Sequence, residues 1–182
     1  MSKKVLGFVG SPRKNGNTDI LVDVILEGAK SAGAEIEKVF LADMDIANCK
    51  ECLMCHSGGP KVCSIKDDMI GIAEKMQEAD VLVFGTPIFW WGPTGIFKTF
   101  MDRWYGFDLG FPDKKLIFAY PSGDPDVYVA RFLRGMFEAS LDYMDTKAFA
   151  YVPAAGAHDP GDVCKMADVV EYAKQVGADS VK

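Results

Sequence analysis

Short apolar runs alternate with stretches of helical periodicity along the chain. Val5 to Val9 has the length and composition of a buried strand, and Ile20, Leu21, Val24, Ile25, Gly28 and Ala29 then fall on one helical face. Ile36 to Leu41 predicts a second strand. Asp67 and Asp68 are placed to cap a helix carrying Ile70, Ala73 and Met76, and Val81 to Phe84 predicts a third strand. Pro93 suits the first turn of the next helix, whose apolar face is Ile96, Phe97, Phe100 and Met101. Leu116 to Ala119 and Lys147 to Val152 predict the last two strands. Between them lies a helix with Phe132, Leu133, Met136, Phe137, Ser140 and Leu141, and a final helix carries Val163, Met166, Val170, Ala173 and Val176.

Strands that each feed a helix require a parallel sheet covered on both faces, because every crossover lays its helix on one side or the other. Five strands favour the flavodoxin-like order 2-1-3-4-5 over the six-stranded dinucleotide fold, in a doubly wound three-layer α/β/α architecture. In either order a ligand sits beyond the carboxyl ends of the strands. The expectation is a single domain over residues 1–182, with a cysteine-rich insertion at about 47–66.

Composition narrows the partners. Hydrophobic residues make up 49 % and charged residues 25 %, an ordinary globular balance that argues against general disorder. Twenty basic residues stand against 26 acidic ones, for a formal charge of −6. With no basic cluster, nucleic acid and an anionic membrane surface are poor partners. No apolar run approaches the ~20 residues of a membrane span. The start, Met-Ser-Lys-Lys before Val5, lacks the form of a signal peptide, so the expected compartment is cytoplasmic.

The loop after the first strand reads Gly10-Ser11-Pro12-Arg13-Lys14-Asn15-Gly16-Asn17-Thr18. Small residues let backbone N–H groups converge, hydroxyls and amides add donors, and Arg13 adds charge at the positive end of the coming helix. The tail Gly16-Asn17-Thr18 lacks the Lys of a nucleotide-triphosphate loop, and the dinucleotide pattern G-x-G-x-x-G is absent. A receptor for one phosphate monoester fits best; a plain capped helix after a turn is the simpler alternative. After the third strand, Pro87, Ile88, Phe89, Trp90 and Trp91 put aromatic surface where a loop is normally polar. A flat tricyclic ring would account for it, held by stacking and by N–H groups of the turn that ends at Gly92.

These motifs, with Phe97-Lys98-Thr99-Phe100-Met101-Asp102-Arg103 in the following helix, resemble the NADPH-dependent FMN reductase group of flavodoxin-like proteins. The resemblance implies FMN, with its phosphate on Ser11, Arg13, Asn15, Asn17 and Thr18. Ser122 and Gly123, after the fourth strand, are expected to touch the far side of the ring. The family often has Tyr where Phe89 stands, so a hydroxyl contact is lost there. Asp102 and Arg103 read as surface or packing charges.

Cys49, Cys52, Cys55 and Cys63 have the spacing C-x2-C-x2-C-x7-C. Three close thiolates and a fourth returning through Gly58-Gly59-Pro60 favour one [4Fe-4S] cluster over zinc, which more often takes two separated pairs. The segment resembles that of the iron-sulfur flavoprotein branch of the same family, which implies a cluster near FMN that relays single electrons. A metal-free segment, a zinc site and a redox disulfide remain as alternatives. Cys164, alone near the last helix, is expected to be a buried thiol.

The leading expectation is an FMN flavoprotein that moves electrons from ferredoxin or NAD(P)H, through the cluster, with no protein nucleophile or acid-base triad. A cluster-free NAD(P)H-dependent reductase of FMN or quinones is the second reading. A non-enzymatic module that binds a phosphate-bearing ligand and senses redox through its cysteines is the third. Aromatic loops at Phe89 to Trp91 and Trp104 to Phe111 imply a homodimer or homotetramer.

Overall fold

The chain runs β1 (Lys4–Val9), α1 (Asn17–Ser31), β2 (Glu35–Phe40), α2 (Met69–Glu78), β3 (Val81–Gly85), α3 (Gly95–Asp102), β4 (Lys115–Ser122), α4 (Arg131–Tyr143), β5 (Ala148–Ala155) and α5 (Ala167–Ser180). This computed structural model describes residues 2–56, 63–107 and 111–182. Gly58, Gly59 and Pro60 of the cysteine segment, and 108–110 of the aromatic run, lie outside the described residues. The sheet has the expected flavodoxin-like order β2-β1-β3-β4-β5, and its four pairings are parallel. Among the described residues no helix is long and apolar enough to cross a membrane.

The two faces of the sheet carry different cores. On one, Val5, Val9, Val81, Val83, Ile117 and Val152 meet α1 and α5 in an aliphatic layer. On the other, Phe8, Phe84 and Phe118 meet Phe97, Phe100, Trp104 and Phe137 under α3 and α4. Phe118 and Phe137 lie 4.3 Å apart between ring centroids and Phe84 and Trp104 4.8 Å, in tilted contacts typical of aromatic pairs. Alternation along each strand produces this division: Phe8 and Val9, or Phe84 and Val83, point to opposite faces.

Helix α1 is fixed against α5 by two glycines. A Cβ on Gly28 would stand 2.1 Å from the Lys174 carbonyl oxygen, and one on Gly177 1.9 Å from that of Ile25. The helices therefore touch backbone to backbone, which only hydrogen at these positions permits. Squeezed between the sheet and α5, α1 buries Val22 and Leu26 in full. The expected face residues Ile20 and Val24 are only half-buried, so the helix is turned from the predicted stripe.

Three other expectations shift. Strands β4 and β5 each run three residues past their predicted ends, because Tyr120–Ser122 pair with Pro153–Ala155. Helix α3 begins at Gly95 rather than Pro93, because Thr94 is the cap and its hydroxyl accepts the Phe97 N–H at 3.1 Å. Cys164 is exposed, not buried: in the short 3-10 turn Asp162–Lys165 it is Val163 that turns inward. At the margins of the sheet, β2 carries Glu35, Glu37 and Lys38, and β5 carries Pro153.

Candidate functional site: a cleft at the carboxyl ends of the strands

Hydrogen bonds draw the loops after β1, β3 and β4 together. The Gly10 N–H donates to the Gly85 carbonyl at 2.7 Å, and the Thr94 hydroxyl donates to the Gly10 carbonyl at 2.5 Å while accepting from Phe97. The Thr94 N–H donates to the hydroxyl of Thr86, which is wholly buried, at 3.2 Å. Thr86 and Ile88 then donate their own N–H groups to Ala119 and Pro121 of β4, at 3.0 and 3.2 Å. At Gly10 a Cβ would lie 2.7 Å from the Phe97 ring, so the crossing admits no side chain.

The cleft that results is lined by Ser11, Pro12, Arg13, Gly16, Asn17 and Thr18 after β1, by Pro87, Ile88 and Phe89 after β3, and by Pro121, Ser122 and Gly123 at the end of β4. Ala157, His158 and Pro160, from the loop after β5, complete it. Sequence reading missed this last group. The available signal was the rule that every carboxyl-end loop borders the crevice, obscured because β5 was cut three residues short.

Donors without protein partners face this cleft. Helix α1 starts after Gly16 with no side-chain cap, so the first N–H groups of the helix have no intrahelical acceptor. Thr18 is 2 % exposed, and its hydroxyl makes no hydrogen bond among the described residues. Arg13 is exposed and has no acidic partner among them. The Ser11 oxygen accepts the Arg13 N–H at 3.1 Å, which leaves its own hydrogen free. Such donors at a helix N-terminus suit an anion.

Two expected contacts have other work. Asn17 donates both amide hydrogens to the carbonyls of Ala157 and Asp159, at 3.0 and 2.9 Å, and its carbonyl accepts from Val163 at 3.2 Å. Its side chain therefore staples the β5–α5 loop, leaving the backbone N–H for a ligand. The Ser122 hydroxyl donates to the Asp124 carbonyl at 3.0 Å. Asn15 borders the lining rather than joining it; its φ is +58°, and the Asp19 carboxylate holds that turn by accepting the Asn15 N–H at 2.7 Å. Lys38 balances Asp19 at 2.7 Å.

The turn after Phe89 is unusual. Phe89 and Gly92 exchange two backbone hydrogen bonds, at 2.9 and 3.0 Å, around Trp90 and Trp91, whose φ values are +50° and +63°. Positive φ at both central residues defines a turn normally built from Asn-Gly, since a side chain there crowds the backbone. Trp90 is 90 % exposed, and the two indoles meet edge to face at 5.2 Å. Pro87, Ile88 and Phe89 thus reach the cleft lining while Trp90, Trp91 and Gly92 stand outside it. Gly92 has committed its N–H to Phe89, leaving those of Trp90 and Trp91.

The cysteines are not gathered as expected. Cys49 and Cys52 are exposed, Cys55 and Cys63 are half-buried, and among the described residues no three Cys, His, Asp or Glu groups come together to hold a metal. Each thiol has its own surroundings: Cys52 pairs with the Ser64 hydroxyl at 3.1 Å, which lowers its pKa, and Cys55 packs near Gly106. Cys63 accepts from the Arg103 guanidinium at 3.2 Å. The four-thiol arrangement that a cluster needs is therefore not formed in this structure. Arg103 is no surface charge. It is 2 % exposed and grips Asp67 through two nitrogens, at 2.6 and 3.2 Å, and the Ala47 carbonyl at 2.9 Å. Asp67 in turn accepts the Ala47 and Met69 N–H groups, so it, not Asp68, caps α2.

A doubly wound sheet with an anion-receptive cleft at the switch between β1 and β3 defines a flavodoxin-like cofactor protein. The chain belongs to the NADPH-dependent FMN reductase family, whose model matches residues 3–123. It is 46 % identical over 100 residues to an iron-sulfur flavoprotein of Archaeoglobus fulgidus, a match covering 55 % of this chain and 48 % of that one. The chain thus spans about half the length of the iron-sulfur flavoproteins it matches. A Bacillus subtilis protein, provisionally named as an NAD(P)H-dependent FMN-containing oxidoreductase, is 28 % identical over 172 residues, covering 89 % of this chain and 90 % of that one. Among solved structures, the NAD(P)H:quinone oxidoreductase of Methanothermobacter marburgensis superposes with a TM-score of 0.77 at 20 % identity, covering 98 % of this chain and 96 % of that one, which shows the fold.

Two variants test these geometries. Burial alone would raise the Asp67 pKa, but hydrogen bonds from Arg103 and Ala47 hold it below the usual carboxylate range. The stabilisation is complete above the ordinary aspartate value of ~3.9 and is lost as pH falls through the lower native value. Asp67→Asn should cost about 3 kcal/mol at pH 7, with the gap to the parent narrowing below about pH 4, as read by urea unfolding. Replacing Trp90 with Asn and Trp91 with Gly should raise thermal stability by about 1 kcal/mol through relief of positive-φ strain.

Proposed function

We propose that the chain is an FMN-dependent oxidoreductase whose β1–α1 loop holds the cofactor phosphate. The observation that carries this reading is the set of unspent donors in one cleft: the uncapped first turn of α1, the Thr18 hydroxyl, the Ser11 hydroxyl and the unpaired Arg13. Their number and charge fit a phosphate monoester, and the neighbouring apolar wall of Pro87, Ile88 and Phe89 fits a flat ring. When bound, FMN supplies the redox chemistry, taking up an electron pair from a donor and passing it to an acceptor.

The protein's part is placement. Arg13 and the α1 amides neutralise the phosphate, Asp19 keeps the loop in its left-handed turn at Asn15, and the Asn17 staple closes the β5–α5 loop over the helix start. Phe89 and Ile88 keep water from one side of the ring site. No step requires a nucleophile or an acid-base pair from the chain. NAD(P)H as donor agrees with the family and with the name of the B. subtilis relative.

A second reading adds a [4Fe-4S] cluster on Cys49, Cys52, Cys55 and Cys63. It is supported by their spacing and by relatives named as iron-sulfur flavoproteins, and requires the thiols to draw together from their present positions. No step is derived through it.

Reconstitution with FMN should give a yellow complex, and Arg13→Ala or Thr18→Val should weaken FMN binding at least about tenfold, read by flavin fluorescence. Failure of the parent to bind FMN would overturn the reading. Oxygen-free purification with iron and sulfide assays separates its two forms: roughly four of each per chain supports the relay, and yellow iron-free protein bleached by NADPH supports the simple reductase.

A further inference from the structure

A second hollow of about 280 Å³ lies beside the cleft and shares Ser122 with it. It is formed where the end of β4 meets the start of α4 and the outer strand β5. Its volume is near the lower bound of small-molecule sites, enough for a mono- or bicyclic aromatic and too little for a dinucleotide.

Tyr120 is part of its lining. The residue is 3 % exposed, yet its hydroxyl has no hydrogen-bond partner among the described residues. Burial drives its pKa up to about 12, so at neutral pH the group keeps its proton and is a donor. Two arginines, Arg131 and Arg134, line it as well. Arg131 donates to the Tyr128 carbonyl at 3.0 Å and stacks on Phe132 at 4.4 Å, with no acidic partner among the described residues. Arg134 uses its Nε for Glu138 at 2.8 Å and lies over the Tyr151 ring at 4.6 Å, which leaves its terminal nitrogens available. No carboxylate lines the hollow; apart from Ser122 and Tyr128 the remaining lining residues, Val127, Ala130, Pro153 and Ala155, are apolar.

We propose that this hollow is a subsite for an aromatic electron acceptor bearing a carboxylate or sulfonate, with Arg131, Arg134 and the Tyr120 hydroxyl receiving the anionic group. A donor without a protein partner, beside two cations, selects an acceptor atom with negative charge, and the apolar residues around it select a flat ring. Ser122 borders both spaces, so the hollow adjoins the cleft. The inference rests on the oxidoreductase reading. In the reaction, the acceptor gains two electrons and two protons; NAD(P)H, oxidised to NAD(P)⁺, gives the electron pair with one proton, and solvent gives the other.

Naphthalene-2-sulfonate, which cannot be reduced by NADPH, tests the subsite directly. Calorimetry on the FMN-loaded protein should show binding to the parent that weakens at least tenfold in both Arg131→Gln and Arg134→Gln. Absence of binding, or equal binding by parent and both variants, would overturn the proposal. With NADPH as donor, the ratio of kcat/KM for 1,4-naphthoquinone-2-sulfonate over 2-methyl-1,4-naphthoquinone should also fall about tenfold in each variant; an unchanged ratio argues against it. Arginine-dependent sulfonate binding by a parent that reduces neither quinone would leave the anion site supported and remove the oxidoreductase reading instead.

Discussion

The site depends on a single hydroxyl, that of Thr94, which satisfies two backbones at once. It donates to the carbonyl of Gly10, at the exit of β1, and accepts the N–H that α3 must have capped at its start. Together with the direct bond from the Gly10 N–H to the Gly85 carbonyl, it fixes the separation of the two loops just past the end of the β1–β3 ladder. The fully buried Thr86 and the tight passage of Gly10 against Phe97 belong to the same construction. With these loops fixed, the first turn of α1 and the wall from Pro87 to Phe89 face one space. Remote sequence positions become a single cleft through these contacts.

The fold was largely readable because both periodicities in it are strong. Val5 to Val9 and Val81 to Phe84 are apolar on both faces, as strands covered by helices must be, and α3 and α4 carry their apolar residues on one side. Errors came where tertiary contact outweighs local pattern. Val22 and Leu26 are buried because they pack onto the sheet where Gly7 and Gly85 carry no side chain, a contact invisible to a single-helix stripe. Pro121 and Pro153 look like loop residues, yet both lie in strands extended by their mutual pairing register.

The candidate site was readable in its chemistry and less so in its division of labour. A loop rich in small and donating residues announces an anion receptor whatever its fold, so Ser11, Arg13 and Thr18 could be picked out by type. That Asn17 would spend its whole amide on a loop about 140 residues away was not, since no local signal records a partner so distant. The cysteines show the converse. Their spacing is compact, but spacing gives proximity in the chain and not convergence of the sulfurs, and here Arg103 and Ser64 hold Cys63 and Cys52 in separate surroundings. For Arg103 the sequence leaves surface and packing roles open: a charge next to Asp102 in a helix-ending sequence resembles a solvated one until Asp67, far along the chain, removes it from water.

The margins of the sheet bear on how copies of this molecule can meet. A strand at an edge offers a row of unpaired amides to any passing chain. Here β2 displays Glu35, Glu37 and Lys38 along such a row, whereas in β5 Pro153 lacks the hydrogen that a continuing ladder would require. Lateral growth of the sheet is therefore discouraged on both sides by unlike means, charge at one border and a missing donor at the other. Self-association, where it occurs, is directed toward side-chain surfaces instead of backbone rims.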